Sequence, residues 1–328
     1  MAISNGLEIN RFDATHSKVM TKEGEEAMLS RRWKNRAIAL GFFDGVHLGH
    51  SALIRLVCKI GVEKELVPSV ITFDTHPDRL IRGEAVPLIN SMEDRAGLMR
   101  RLFDIDDALF IKFDKPTSRM PWERFVEHLA SEFGARHLVA GTNYSFGRDG
   151  EGSGKLLERK CAEMGIGCDI IPEIKHEGIT VSSTIIREMI SGGDIERANS
   201  FLGHPHVLSD VVRYGYRLGS ELNTPTINMC FEDGVLIPAH GVYATKVFLH
   251  DGKQYNGVTN VGSRPTVDDS GAITAETHIL GFKGNLYGLK VRIEFYAFLR
   301  PEIKFNCIDE LKSQIQKDCI AAEAVFAC

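Results

Sequence analysis

Two histidines one helical turn apart, His47 and His50, flank Gly49 in the segment Gly41-Phe-Phe-Asp-Gly-Val-His-Leu-Gly-His50. A glycine-rich turn between an apolar run and an amphipathic stretch gathers backbone N–H groups, and the positive end of a helix dipole adds to them. Two imidazoles there can donate to one anion, and Gly49 lets the backbone approach closely. Phosphate binding is the chemistry such a turn serves. A second set of donors lies in Val181-Ser-Ser-Thr-Ile-Ile-Arg187. Ser182, Ser183 and Thr184 open a helix with hydroxyl and N–H donors, and Arg187, one turn on, adds a charge-assisted bidentate donor. Thr226 and Asn228 suggest different chemistry. Two residues apart in extended chain they face the same side. Their oxygens together can ligate a hard cation such as Mg²⁺, which keeps waters and phosphates as its other ligands, although taken alone the string reads first as a plain strand start. Glu276 lies in a strand segment whose neighbours Ala275 and Thr277 point the other way. Taken alone it reads as a solvated glutamate.

The elements that must position these residues fall into two patterns. In the first half, apolar strands at 37–40, 67–73, 108–113, 137–140 and 168–171 alternate with helices at 51–61, 91–103, 121–133 and 154–164. Ser91-Met-Glu-Asp94 resembles a capping box, and Gly134 and Gly165 close helices. Such alternation predicts a parallel sheet covered on both faces, with ligands beyond the carboxyl ends of the strands, where H-x-G-H falls. After a mostly helical segment at 182–203 the pattern changes. Strands at 241–249, 255–261, 274–282 and 290–299, with an Asp-Gly turn at 251–252 and a closing helix near 309–324, predict a small antiparallel barrel. The expected division is 1–188 and 189–328.

Composition narrows the classes. The chain has 328 residues, 43% of them hydrophobic, and a net charge of −5. That length predicts two domains, and the absence of a basic block argues against a nucleic-acid partner. No stretch reaches the roughly eighteen apolar residues of a membrane span. Seven scattered cysteines without a C-x-x-C read as reduced thiols of a cytoplasmic protein.

The string Gly41–His50 resembles the nucleotide-binding signature of the adenylyltransferase half of bacterial bifunctional riboflavin kinase/FAD synthetases. Thr72-Phe-Asp-Thr-His-Pro77 resembles that family's T-F-D-P-H-P, with Thr75 in place of a proline. Gly141-Thr-Asn-Tyr-Ser-Phe-Gly147 resembles its G-x-N-F-x-F-G, and Val181–Arg187 its I-S-S-T-x-I-R. The second half resembles riboflavin kinase: Gly219-Ser-Glu-Leu-Asn-Thr-Pro-Thr-Ile-Asn228 corresponds to G-x-x-L-G-F-P-T-A-N. Asn223-Thr224 replace Gly-Phe there, and Ile227 replaces an alanine. Segments 238–243, 260–266, 275–280, 286–288 and 300–305 follow in the family's order.

The resemblance implies an α/β nucleotidyltransferase domain, Rossmann-like with a parallel sheet, followed by a riboflavin kinase-like antiparallel β-barrel with a closing helix. It implies ATP-dependent phosphorylation of riboflavin to FMN, then adenylylation of FMN to FAD with release of pyrophosphate, both with Mg²⁺. Gly41, Phe43, Asp44, Gly45, Gly49, Asp74, His76, Asn143, Ser182, Ser183, Thr184, Gly219, Pro225 and Arg300 are the implied binding positions. His47, His50 and Arg187 are the implied donors to the transition state, Glu276 the base for the ribityl 5′-hydroxyl, and Thr226 and Asn228 the metal ligands. Two rival readings exist: an H-x-G-H transferase acting on another phosphorylated cofactor precursor, and a non-catalytic flavin-binding regulator. The kinase-like half argues against the first, and retention of a catalytic base against the second.

Overall fold

The computed structural model describes residues 2–4, 7–11, 35–213, 226–263 and 273–327. The chain forms two compact units, Met1–Leu88 with Arg95–Ser182, and Ile89–Asp94 with Ser183–Cys328. A single cut near residue 188 therefore misses one feature: six residues of the first half belong with the second unit.

The first unit runs β1 (Ala2–Ser4), β2 (Leu7–Arg11), β3 (Arg36–Leu40), α1 (Leu48–Lys64), β4 (Val67–Phe73) and α2 (Pro77–Ile81). It continues with α3 (Met92–Phe103), β5 (Asp107–Ile111), α4 (Lys115–Ser118), α5 (Trp122–Ser131), β6 (Ala135–Gly141), α6 (Gly154–Met164) and β7 (Gly167–Ile171). A small hairpin, β8 (Lys175–His176) and β9 (Ile179–Thr180), follows. The main sheet has the order β1-β2-β5-β4-β3-β6-β7. Its five strands from β5 to β7 are parallel, and β2 pairs antiparallel with β5. All five residues of β3 are buried, as a strand covered on both faces requires. In α5, Trp122, Phe125, Val126 and Leu129 are buried at i, i+3, i+4 and i+7, which seats the helix on the sheet.

The second unit begins with α7 (Ser183–Gly192), α8 (Ile195–Leu202), β10 (His206–Val211) and β11 (Thr226–Cys230). Then come β12 (Gly241–Phe248), β13 (Gln254–Ser263), β14 (Ile273–Ile279), β15 (Lys290–Arg300) and α9 (Ile308–Phe326). Six strands pair antiparallel in the order β10-β15-β12-β13-β14-β11. The Arg213 N–H donates to the Asn228 carbonyl at 2.9 Å, joining the sheet's two outer strands and curling it into a barrel. Along β15, Val291, Ile293, Phe295 and Ala297 are buried at every second position. Inside, Thr245, Thr259 and Thr277 link hydroxyl to hydroxyl at 2.8 Å each, so three buried polar groups satisfy one another. The strap 89–94 is tied to this unit by side-chain and backbone contacts. Asn90 donates to the Val207 carbonyl, the Ser209 N–H donates to Asp94, and Lys290 pairs with Glu93.

Candidate active sites

In the first unit the chain leaves β3 through a left-handed turn. Phe43, Gly45 and Val46 all have positive φ (55°, 79° and 44°). A β-branched residue in that region is a costly conformation, held only where the surroundings over-determine it. Gly41 is required for a different reason: a Cβ there would lie 3.0 Å from the buried Phe43 ring. Asp44 is also buried.

Helix α1 starts at Leu48, earlier than the apolar pattern suggested, so His47 is its N-cap and His50 lies in its first turn. Histidine is not among the usual capping residues. Here its Nδ1 accepts the His50 backbone N–H at 3.3 Å, which leaves the His47 ring proton on Nε2. The two imidazoles stack with centroids 3.6 Å apart and planes at 14°. Gly49 supports this: an added Cβ would sit 3.1 Å from the His47 ring. Burial first, then the neighbouring His47 and Arg95, hold the His50 pKa well below the usual imidazole range. The His50 ring is therefore neutral near pH 7, and among the described residues its buried Nδ1 has no hydrogen-bond partner.

The other predicted positions of this half lie at neighbouring strand ends. Asp74 follows β4 and accepts the Phe113 N–H at 3.0 Å, so one of its oxygens holds a neighbouring loop. His76 caps α2 by accepting the Asp78 N–H, and its ring meets Phe42 edge-on at 4.9 Å. Asn143 is exposed beyond β6. Gly147, with φ 76°, is a packing position: a Cβ would come within 2.6 Å of the Trp122 backbone. The Val181 carbonyl lies 4.0 Å from an ideal Cβ on Gly49, so the segment leading into Ser182 passes beside the histidine turn. Ser183, Thr184 and Arg187 belong to α7 of the second unit.

In the second unit, register brings three predicted residues together. Asn228 on β11 stands opposite Glu276 on β14, and the Thr226 hydroxyl donates to Glu276 Oε1 at 2.6 Å. Ala275 and Thr277 are fully buried, which leaves Glu276 on the opposite face with Thr226 and Asn228. A hydroxyl, an amide carbonyl and a carboxylate are all hard oxygen donors, a set that fits Mg²⁺. Beside Thr226 lies a cavity of about 170 Å³, walled chiefly by Ile227, Ile279, Phe282, Leu286 and Tyr287. Gly219 and Pro225, with the Asn223-Thr224 replacement, lie outside the described residues. The guanidinium of Arg300 is engaged by the buried Asp318 of α9 at 2.9 and 2.7 Å, an anchor for the closing helix.

Sequence reasoning missed three residues. On β13, Asn260 stands opposite Glu276 and donates to Glu302 at 3.1 Å, while a Cβ on Gly262 would overlap that carboxylate. The strings around Asn260 and Glu302 were legible, but their meeting across 42 positions depends on strand register. Arg95 is fully buried in the first unit. Its only sequence signal is a charge on the apolar face of α3, in line with the buried Leu98 and Met99.

A parallel sheet with a phosphate-type turn at its strand ends, joined to an antiparallel barrel carrying a Thr-Asn-Glu oxygen cluster, defines a two-site transferase. The family model for FAD synthetase matches residues 29–185, and that for riboflavin kinase matches residues 202–326. A bifunctional riboflavin kinase/FMN adenylyltransferase of Listeria monocytogenes is 36% identical over 295 residues, covering 89% of this chain and 93% of that one. The protein of the same description from Bacillus subtilis is 32% identical, over 86% and 89% of the two chains. A crystal structure titled a macrolide-efflux protein from Streptococcus pneumoniae superposes with a TM-score of 0.78 at 25% identity, covering 88% of this chain and 94% of that one. No helix among the described residues is long and apolar enough to cross a membrane. The chain belongs to the family of bifunctional riboflavin kinase/FMN adenylyltransferases. It is an enzyme that takes riboflavin to FMN and FMN to FAD.

Proposed function

We propose that the two reactions are divided between the two halves, 1–188 adenylylating FMN and 189–328 phosphorylating riboflavin, and that the residues picked out by the motifs carry them. In the barrel, Glu276 takes the proton from the ribityl 5′-hydroxyl as the alcohol attacks the γ-phosphorus of ATP and ADP leaves. An unactivated alcohol needs such a base. Thr226 and Asn228 would hold Mg²⁺, whose charge would offset that of the ATP phosphates. The Thr226 proton is spent on Glu276 at 2.6 Å, leaving the hydroxyl's lone pairs for a cation. In the α/β half, an FMN phosphate oxygen attacks the α-phosphorus of ATP and pyrophosphate leaves. That nucleophile is already anionic, so no base is required. His47 and His50 each contribute one N–H toward the developing charge, and Ser182 adds a further donor. The chain works in the cytoplasm, a reading supported by its free thiols.

The observation that carries this reading is the single face shared by Thr226, Asn228 and Glu276. Its test is Glu276→Gln, which keeps shape and polarity but removes the base. Purified variant, riboflavin, ATP and Mg²⁺ are incubated and the flavins separated by chromatography. FMN formation falls by roughly 10² to 10⁴, while supplied FMN is still converted to FAD. FMN formation at the wild-type rate would move the base elsewhere. Loss of both activities in a folded protein would overturn the two-site division.

A further inference from the structure

We propose that Arg95 is a positioning residue for FMN adenylylation: its Nη1 fixes the spacing between the loops leaving β3 and β4, and so sets where the histidine turn holds its donors. The inference rests on reading that turn as the adenylylation site.

Arg95 has no exposed surface, and a guanidinium taken out of water is unfavourable unless its contacts replace the lost hydration. Its Nη1 donates to the Phe42 carbonyl at 3.0 Å and to the Phe73 carbonyl at 3.2 Å. Those oxygens stand at the carboxyl ends of two adjacent parallel strands, one just before the left-handed turn and the other just before Asp74. Thr72 closes the arrangement, donating its hydroxyl to the same Phe42 carbonyl at 2.6 Å. The guanidinium also lies over the rings of Phe42 and Phe110, at 4.8 and 5.1 Å. One planar cation thus bonds both strand ends and lies against two aromatic rings.

The object of this grip is the peptide that begins the strained turn. Phe43, Gly45 and Val46 hold positive φ only if something outside the turn fixes its entry, and the doubly bonded Phe42 carbonyl is that entry. His47 caps α1 directly after this turn, so a displaced Phe42 peptide displaces the imidazoles. A shift of about 1 Å in donors of this kind costs on the order of 10²-fold in rate. Lysine would keep the charge but lacks the flat fork that bonds and stacks at once.

The test compares Arg95→Met, Arg95→Lys and Thr72→Val with wild type, measuring kcat and KM for both reactions on the same preparations. Arg95→Met is expected to lower the kcat of FMN adenylylation about 10²-fold, with a much smaller change in KM for ATP. Arg95→Lys recovers about tenfold of that loss, and Thr72→Val loses about tenfold from wild type. Riboflavin phosphorylation stays within about twofold in all three, since Arg95 and Thr72 belong to the first unit and the oxygen cluster to the second. If Arg95→Met does not fold, the lysine and Thr72→Val variants decide alone. Wild-type adenylylation kcat in both, or a parallel fall of the two activities, overturns the proposal. His50→Ala separates this outcome from failure of the site reading. If His50→Ala is inactive while the Arg95 variants are fully active, only the role of Arg95 falls. If His50→Ala adenylylates FMN normally, the site itself is misplaced.

Discussion

A neutral His50 offers a phosphate one hydrogen bond rather than a charge, and His47, whose Nδ1 is spent on its own helix, also has one N–H to give. Replacing either by alanine should lower FMN adenylylation by about 10² to 10³, the usual loss for one transition-state donor. A steady-state assay of pyrophosphate release measures this, with riboflavin phosphorylation nearly unchanged. Thr226→Ala and Asn228→Ala should instead raise the Mg²⁺ concentration needed for half-maximal kinase rate, each having lost an oxygen ligand. A magnesium titration superimposing on wild type for both would make the pair structural. At this scale the sequence was informative where a residue's type is rare for its place. Two histidines in one turn stand out, whereas Glu276 taken alone did not and drew its meaning from the strings around it. Arg300 shows the opposite case: its position in a recognised string did not reveal that Asp318 already claims its guanidinium. Such partners are set by helix packing, which spacing does not encode.

Among elements, α1 links conformation to activity through Gly49. Gly49→Ala should favour the helix by up to about 1 kcal/mol, yet it presses a methyl group against the His47 ring at 3.1 Å. Melting temperature should hold or rise while adenylylation falls, a separation visible by calorimetry and assay on one preparation. Strand β10 carries a second consequence. Burial, with His204 nearby, lowers the His206 pKa to about 3, against 6.5 when unfolded. Its contribution to stability is fully present above pH 6.5 and is lost as pH falls from there toward 3, because the unfolded chain binds the proton first. The slope is at most about 1.4 kcal/mol per pH unit. The melting temperature of the barrel should therefore drop less between pH 7 and pH 5 in His206→Phe than in wild type. Most elements were legible: Val67–Phe73 and Gly154–Met164 have the predicted ends, because a buried run and a glycine C-cap mark them plainly. The start of α1 was not, because an imidazole replaced the expected cap. The short strands β1 and β2 escaped as well, β2 being placed by pairing with β5 and β1 by pairing with β2 rather than by pattern.

For the whole molecule, the order of folds could be read from periodicity, since helices between parallel strands and consecutive hairpins leave different signatures. The strap at 89–94 could not, because it has no period and its partners are far away in sequence. It bears on any attempt to isolate the kinase half. A fragment starting at residue 189 should still form the barrel and phosphorylate riboflavin without making FAD. It lacks the donor to Val207, the acceptor for Ser209 and the partner of Lys290. Each buried group left unsatisfied costs about 1–3 kcal/mol. The fragment should melt well below the barrel of the intact chain, and equal melting temperatures would show the strap to be dispensable.

The same strap sets a clock during synthesis. Asn90 leaves the ribosome 117 residues before Val207, the backbone it will hold. At roughly 5–20 residues per second, that interval is roughly 6 to 23 s. The nascent chain thus makes one piece of its second unit midway through the first sheet, after β4 and before β5, and only later produces the strands that piece will fasten.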